Sequence, residues 1–248
     1  MLRAFLIVAA LVLVMAAAFP VSARSADENA QIAAYVAAEG QSGQSMALEA
    51  RALAAAAGRV KRAGPILTFD LTGGTKGIRV EDRTDCQAGM GASDCVQYFL
   101  VAALPRRHCY VVVKAHYEGT DYILIDARTG KGLVFPGPPQ FAPHGDRILV
   151  LNNSEMAEGR AIEIWKRDAA GGATVEWIHP IGGDEATIAD TEAGVAVAPQ
   201  AMTLVRWSGE RIDLAMRYPA IYDRKPFTLR AKVERIKGAW TLTVIKPK

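Results

Sequence analysis

The sequence predicts an all-β protein: a small or partial β-propeller-like arrangement of antiparallel sheets behind an N-terminal helical segment, with a β-sandwich as the alternative. Three observations carry the prediction. From Pro65 onward, short runs of β-branched and aromatic residues alternate with turns built on Gly, Pro and Asp. The stretch from Asp121 to Asn153 condenses that grammar. Tyr122 to Asp126 reads as a strand, Thr129-Gly130 as a tight turn and Lys131 to Phe135 as the return. Gly137-Pro138-Pro139 then breaks the chain before Arg147 to Asn152 resumes it. Finally, the run from Ile123 to Lys131 is echoed from Ile162 to Gly171, close to the spacing of roughly 40 to 45 residues of a propeller blade.

Taken in order, the chain opens with Met1-Leu2-Arg3 and an apolar run from Ala4 to Phe19, too short to span a bilayer comfortably, since a membrane helix takes roughly 20 residues. Pro20 and the small residues of Val21-Ser22-Ala23 follow. Residues 1–23 therefore read as a cleavable secretory signal, placing the mature chain in the periplasm or outside a bacterial cell with no membrane span. Residues 24–64 form a helical or linker segment rich in Ala, Glu, Gln and Arg, with a helix expected over Ala47 to Arg62 and only weakly amphipathic. Residues 65–248 form the antiparallel β domain.

Within that domain, Ile66 to Leu71 and Gly77 to Glu81 pair through a Gly-containing connection. Val96 to Leu104 has so few polar residues that both of its faces should be covered. The strands His108 to His116 and Asp121 to Asp126 continue the meander. Ala161 to Lys166 and Ala173 to His179 flank a Gly-Gly turn, and Pro180 to Glu192 reads as a long loop. Met202 to Trp207, Glu210 to Arg217 and a hairpin turning at Lys237-Gly238 end the chain, the apolar Phe227, Leu229, Ala231 and Val233 opposing Thr228, Arg230, Lys232 and Glu234.

Export puts the three cysteines where disulfides persist. Cys86 and Cys95 bracket a Gly- and Ser-containing loop and are expected to close it as a disulfide. Cys109 alternates with Val111 and Val113 on one strand face and reads as a buried thiol, Cys95–Cys109 pairing being the alternative. The formal net charge is +3, and the basic excess gathers between Arg224 and Lys248. Nucleic-acid binding needs such charge beside exposed aromatics. With a secretory signal in front of it, a solvated strand face is the better reading, and no nucleic-acid partner is expected.

Phe141, Pro143, Gly145 and Arg147 resemble the F-S-P-D-G-x-R turn of the TolB-like and WD40-like propeller repeats, with Ala142 and His144 departing from the usual Ser and Asp. Asp126 to Lys131 resembles the turn that ends such a blade. The whole chain is similar to exported proteobacterial proteins of uncharacterised function that carry this turn. The resemblance implies a structural turn at Phe141, Pro143, Gly145 and Arg147, and it brings no activity with it.

The residues that could carry chemistry are scattered. His108, His116, His144 and His179 lack metal-pair spacing. Gly43 to Ala47 has the letters of a nucleophile elbow without a strand before it. Asp121, Asp126, Asp146 and Glu155 fall near turns, where capping is the commoner role of a carboxylate than calcium binding. No cofactor, metal or catalytic residue is assigned. The expected function is a non-catalytic envelope protein, a binding or scaffold module for an unknown protein or glycan partner, contacting it through Asn152 to Arg160 and Pro180 to Gln200. The alternative is a periplasmic, hydrolase-like enzyme whose site is assembled from scattered residues.

Overall fold

A computed structural model describes residues 21–38, 42–73, 77–84, 95–116, 119–153, 159–181, 188–190, 195–220 and 225–245. Two helices, α1 (Val21–Ala37) and α2 (Ser42–Ala55), precede the strands. The first sheet is β1 (Val60–Ala63), β2 (Ile66–Phe69) and β3 (Ile78–Glu81). The second is β4 (Val96–Leu104), β5 (Cys109–His116), β6 (Gly119–Asp126) and β7 (Gly132–Phe135). The third is β8 (Pro139–Phe141), β9 (Arg147–Asn152), β10 (Arg160–Arg167) and β11 (Ala173–Ile181). A two-stranded pair, β12 (Ile188–Asp190) and β13 (Val195–Val197), leads to the fourth sheet: β14 (Ala201–Ser208), β15 (Arg211–Tyr218), β16 (Phe227–Ile236) and β17 (Ala239–Ile245). Every sheet is an antiparallel meander whose strands neighbour one another in chain order.

The sheets stack face to face, and three hydrophobic layers fill the spaces between them. Val60, Leu67 and Phe69 of the first sheet meet Leu100, Tyr110, Val112 and Ile125 of the second. The opposite face of the second sheet, with Cys109, Val111, Val113 and Leu124, meets Phe141, Ile148 and Val150 of the third. Leu149, Leu151, Ile162 and Ile164 then meet Ile212, Leu214, Met216 and Ala231 of the fourth. A strand buried on both faces must be apolar at successive positions, and Leu100 to Leu104 is buried throughout, as its sequence predicts. The stack stays open at its last sheet, whose outer face carries exposed Arg217, Thr228, Arg230, Thr241 and Thr243. The described residues therefore form a mostly β, propeller-like stack of antiparallel sheets with N-terminal helices, and among them no barrel closes.

The helical segment differs from expectation for a physical reason. α2 ends at Ala55 and the chain enters the first sheet at Val60, so the helix predicted over Ala47 to Arg62 stops early and the β domain begins before residue 65. Ala57 at φ 50° and Gly58 at φ 80° break the helix, and Val60 is more useful paired with Phe69 than continuing it. Neither helix is a loose linker. Ile32 and Tyr35 of α1 are buried against the second sheet, and Ala52 and Ala56 belong to the layer between the first two sheets. Burying a side chain the size of Ile32 contributes about 1.5–3 kcal/mol.

Strand β8 and the β12–β13 pair lie where loop is expected. Three residues each are too short for periodicity to register, and pairing partners alone make them strands. The internal echo is structural: Ile123 to Lys131 and Ile162 to Gly171 are the third strand and following turn of two successive sheets.

The N-terminal edges of the sheets are finished by side chains. Asn29 donates to the Phe141 carbonyl at 3.1 Å and accepts from the Phe141 N–H at 2.8 Å, acting as a strand partner for β8. Asn153 treats Met202 of β14 the same way, at 3.2 and 2.7 Å. Buried Glu49 accepts the Leu100 N–H of β4 at 2.9 Å. Edge strands that would otherwise recruit other chains are closed in this manner.

Candidate basic cleft between the second and third sheets

Four turns emerge together at one end of the stack: residues 105–108 and 127–130 from the second sheet, 142–146 and 168–172 from the third. Their construction begins with Asp126. Its carboxylate is buried and accepts the Arg128 and Thr129 N–H groups at 3.0 and 2.9 Å, the Thr129 hydroxyl at 3.1 Å and Arg128 Nη2 at 3.1 Å. Burial alone would raise its pKa; the hydrogen bonds from Arg128 and Thr129 outweigh it and hold the carboxyl below its ordinary range. Gly171, at φ 82°, lies directly over this carboxylate, where any Cβ would overlap it. The third sheet's turn thereby rests on the second sheet's turn.

Arginines lock the turns together. Arg128 donates to the Ala169 carbonyl at 2.9 Å, and Arg167 to the Arg107 carbonyl at 3.2 Å. Arg107 is paired with Glu28 of α1, reaches the Ala142 carbonyl at 3.4 Å and lies over the Phe141 ring at 4.7 Å. Between these turns opens a cleft of about 500 Å³, lined by Arg106, Arg107, Arg128, Arg167 and His144 with Glu28, Asp146 and Asp168.

The charges do not cancel. Glu28 is taken by Arg107, Asp146 by Arg147 at 3.0 Å, and Asp168 accepts the Gly172 N–H of its own turn at 2.8 Å. Among the described residues, Arg106 and Arg167 have no carboxylate partner, and Arg167 Nε is buried without a hydrogen bond. A guanidinium N–H buried without an acceptor is costly. The arrangement suits an oxyanion, for which arginine's fork is the matching geometry. Compared with family models, curated proteins and solved structures, the chain matches none.

Of the turn residues named from sequence, Phe141, Pro143 and Gly145 stand at this cleft: Phe141 is buried beneath Arg107, Pro143 lines the wall, and Gly145 has φ 73°. A Cβ on Gly145 would strike the Arg107 guanidinium. Arg147 leaves the site. It pairs with Glu176 at 2.6 Å and stacks on Trp240 at 5.7 Å, joining the third sheet to the fourth.

The remaining expectations resolve one by one. Cys109 is a free, buried thiol, which removes the Cys95–Cys109 alternative. Cys86 lies outside the described residues, as do residues 1–20 and Glu155. His116 Nε2 sits 3.5 Å from Asp121 and His179 stacks on Trp177, far apart along different strands. Ser45 lies inside α2, and the described element before it is the helix α1. The connections offered as a contact surface, Asn152 to Arg160 and Pro180 to Gln200, fall at the opposite end of the strands from the cleft, and much of each lies outside the described residues. Among the described residues no helix is long and apolar enough to cross a membrane.

Sequence reasoning missed the arginines. The signal was present in the echo, which aligns Arg128 with Arg167 where the third strand of two successive sheets passes into its turn.

Proposed function

We propose that the protein is an exported, non-catalytic binding module of the bacterial envelope, akin through its Phe141 to Arg147 turn to TolB-like propeller repeats, and that it holds an anionic group of its protein or glycan partner in the arginine cleft. The observation that carries this reading is the pair Arg106 and Arg167, cationic and without carboxylate partners among the described residues, on a cleft whose other arginines, Arg107 and Arg128, are paired with Glu28 and Asp126. A prearranged donor set loses little entropy on binding, which is what a recognition site needs. The resemblance and the N-terminal apolar run support export, and an oxidising compartment supports a disulfide between Cys86 and Cys95.

One set of measurements on protein recovered from an envelope fraction tests this. Calorimetric titration with pyrophosphate should show binding that weakens as salt rises and is lost in the Arg106→Ala, Arg167→Gln double variant. Mass spectrometry should find Arg24 as the N-terminus and a Cys86–Cys95 peptide under non-reducing conditions. Pyrophosphate binding unchanged in the double variant would remove the cleft from the reading, and intact Met1 in the cytoplasm would remove export.

A further inference from the structure

On the other side of the 105–108 turn lies a second cavity, between the first and second sheets and under the end of α2. Its volume is about 650 Å³, within the range of small-molecule sites. Its character is opposite to that of the basic cleft. Ala55, Ala56, Ala103, Pro105, Tyr110 and Cys109 form an apolar wall of it. Burial pushes the Cys109 thiol up to about 12, so that wall carries no charge at neutral pH. The run of alanines where α2 meets β4 is what leaves the space: a longer side chain at any of them would close it.

Two further observations mark this slot. Its rim carries Ala57 at φ 50° and His108 at φ 49°, two of the three non-glycine left-handed residues in the described chain. Each such residue costs on the order of 1 kcal/mol or more, and strain of that kind gathers where a ligand site must be held open. Hydrogen bonds hold both residues in place, Ala57 N–H to the Ala54 carbonyl at 3.1 Å and His108 N–H to the Pro105 carbonyl at 3.2 Å. The second observation is that Arg128 borders both cavities, and that Arg59, exposed and without a carboxylate partner among the described residues, also lines the slot.

We infer that slot and cleft form one site for a single-chain amphiphilic anion. The apolar body lies along Ala55, Ala56, Ala103 and Tyr110, and its phosphoryl or carboxylate head is held at Arg128 with Arg106 and Arg167 beyond it. The inference rests on the anionic reading of the cleft and adds to it the hydrophobic half of the ligand. An apolar wall excludes a second charge along the body, and the neutral thiol of Cys109 is consistent with that.

The test uses the full mature chain and four probes: inorganic phosphate, dodecyl phosphate, dodecanoate, each below its micellar concentration, and the non-ionic dodecyl maltoside. Dodecyl phosphate should bind at least about 100-fold more tightly than inorganic phosphate, since several buried methylenes each add to the affinity. Ala55→Leu and Ala55→Trp should remove that gain in graded fashion while inorganic phosphate binding stays as in the parent, and both should melt as the parent does, Ala55 being exposed on the last turn of α2. Arg106→Ala should weaken both phosphate probes. Dodecanoate competing as well as dodecyl phosphate assigns the head to either oxyanion; its failure to compete restricts the head to a phosphoryl group, and both results support the site. Phosphate binding with no gain from the chain overturns the amphiphile inference and leaves the cleft reading intact. Equal binding of dodecyl maltoside, insensitive to Arg106→Ala, overturns the coupling of slot to cleft. Failure of every anion to bind overturns both readings together.

Discussion

Gly145 shows how much a single residue decides at this end of the stack. Its φ of 73° lies in the left-handed region, and the space a Cβ would take is already held by the Arg107 guanidinium. Gly145→Ala should therefore cost about 1–3 kcal/mol, combining backbone strain with displacement of Arg107 from Phe141 and Ala142. Urea denaturation measures it. A cost near zero would mean that Arg107 moves aside freely and that the turn is not locked to the second sheet. Neighbouring Ala142 carries a different lesson. The resemblance makes Ser the ordinary residue there and so a harmless replacement, but Ala142 is only 4% exposed and packs among Leu149 and Met202, so a hydroxyl added there must be desolvated.

At the scale of the element, the sheets depend on side chains supplied from outside them. β8 is three residues long and pairs on one side only, with β9. Its other side is closed by Asn29 of α1, which both donates to and accepts from Phe141. Asn29→Ala leaves a buried N–H and carbonyl without partners, so a loss of about 1–3 kcal/mol is expected. Asn29→Asp keeps the acceptor and should lose less near neutral pH. Both values come from chemical denaturation at constant m, and an Asn29→Ala variant as stable as the parent would show that water replaces the amide and that α1 is not part of the sheet's edge. The same reasoning explains why the N-terminal segment is no linker: α1 and α2 supply Asn29 and Glu49 to the first strands of the third and second sheets.

For the whole molecule, stability should form a plateau bounded by two titrations of opposite sign. Asp126 and Glu176 both titrate below their ordinary values in the fold. For Asp126 burial opposes the shift and hydrogen bonds from Arg128 and Thr129 win; for Glu176 the hydrogen bond from Arg147 leads. A lowered carboxyl pKa stabilises above the unfolded value, about 4, and that contribution disappears as pH falls through the folded value. Cys109 acts at the other side. Its pKa is raised from 9.0 to about 12 by burial, so the folded thiol keeps a proton that the unfolded chain releases. Stability should fall above pH 9, by about 1.4 kcal/mol per pH unit from this group, and continue falling until about 12. Tyr110 and Tyr218, also raised by burial, add to the decline from about pH 10 upward. Denaturation between pH 8 and 10 should show the slope in the parent and its absence below pH 10 in Cys109→Ala. An unchanged slope in that variant would mean the thiol already meets solvent.

What the sequence by itself determined were the features written in local chemistry. Alternation and turn residues gave β2, β3 and, apart from β8, the strands of the second, third and fourth sheets. The apolar run of Val96 to Leu104 announced a strand covered on both faces, the parity of Cys109 with Val111 and Val113 placed the thiol in the core, and Gly145 was legible as a turn position. The tertiary structure decided what depends on partners distant along the chain. β8, β12 and β13 are strands only because neighbours pair with them, and α2 stops at Ala55 because Val60 finds Phe69 across the first sheet. The basic cleft belongs to the same class. Arg106, Arg107, Arg128 and Arg167 each look like ordinary turn or strand-end arginines, and stacking two antiparallel meanders with the same connection on the same end brings them to one place. Their charge becomes a site because the carboxylates beside them are already engaged, a balance of distances that spacing along a chain does not encode.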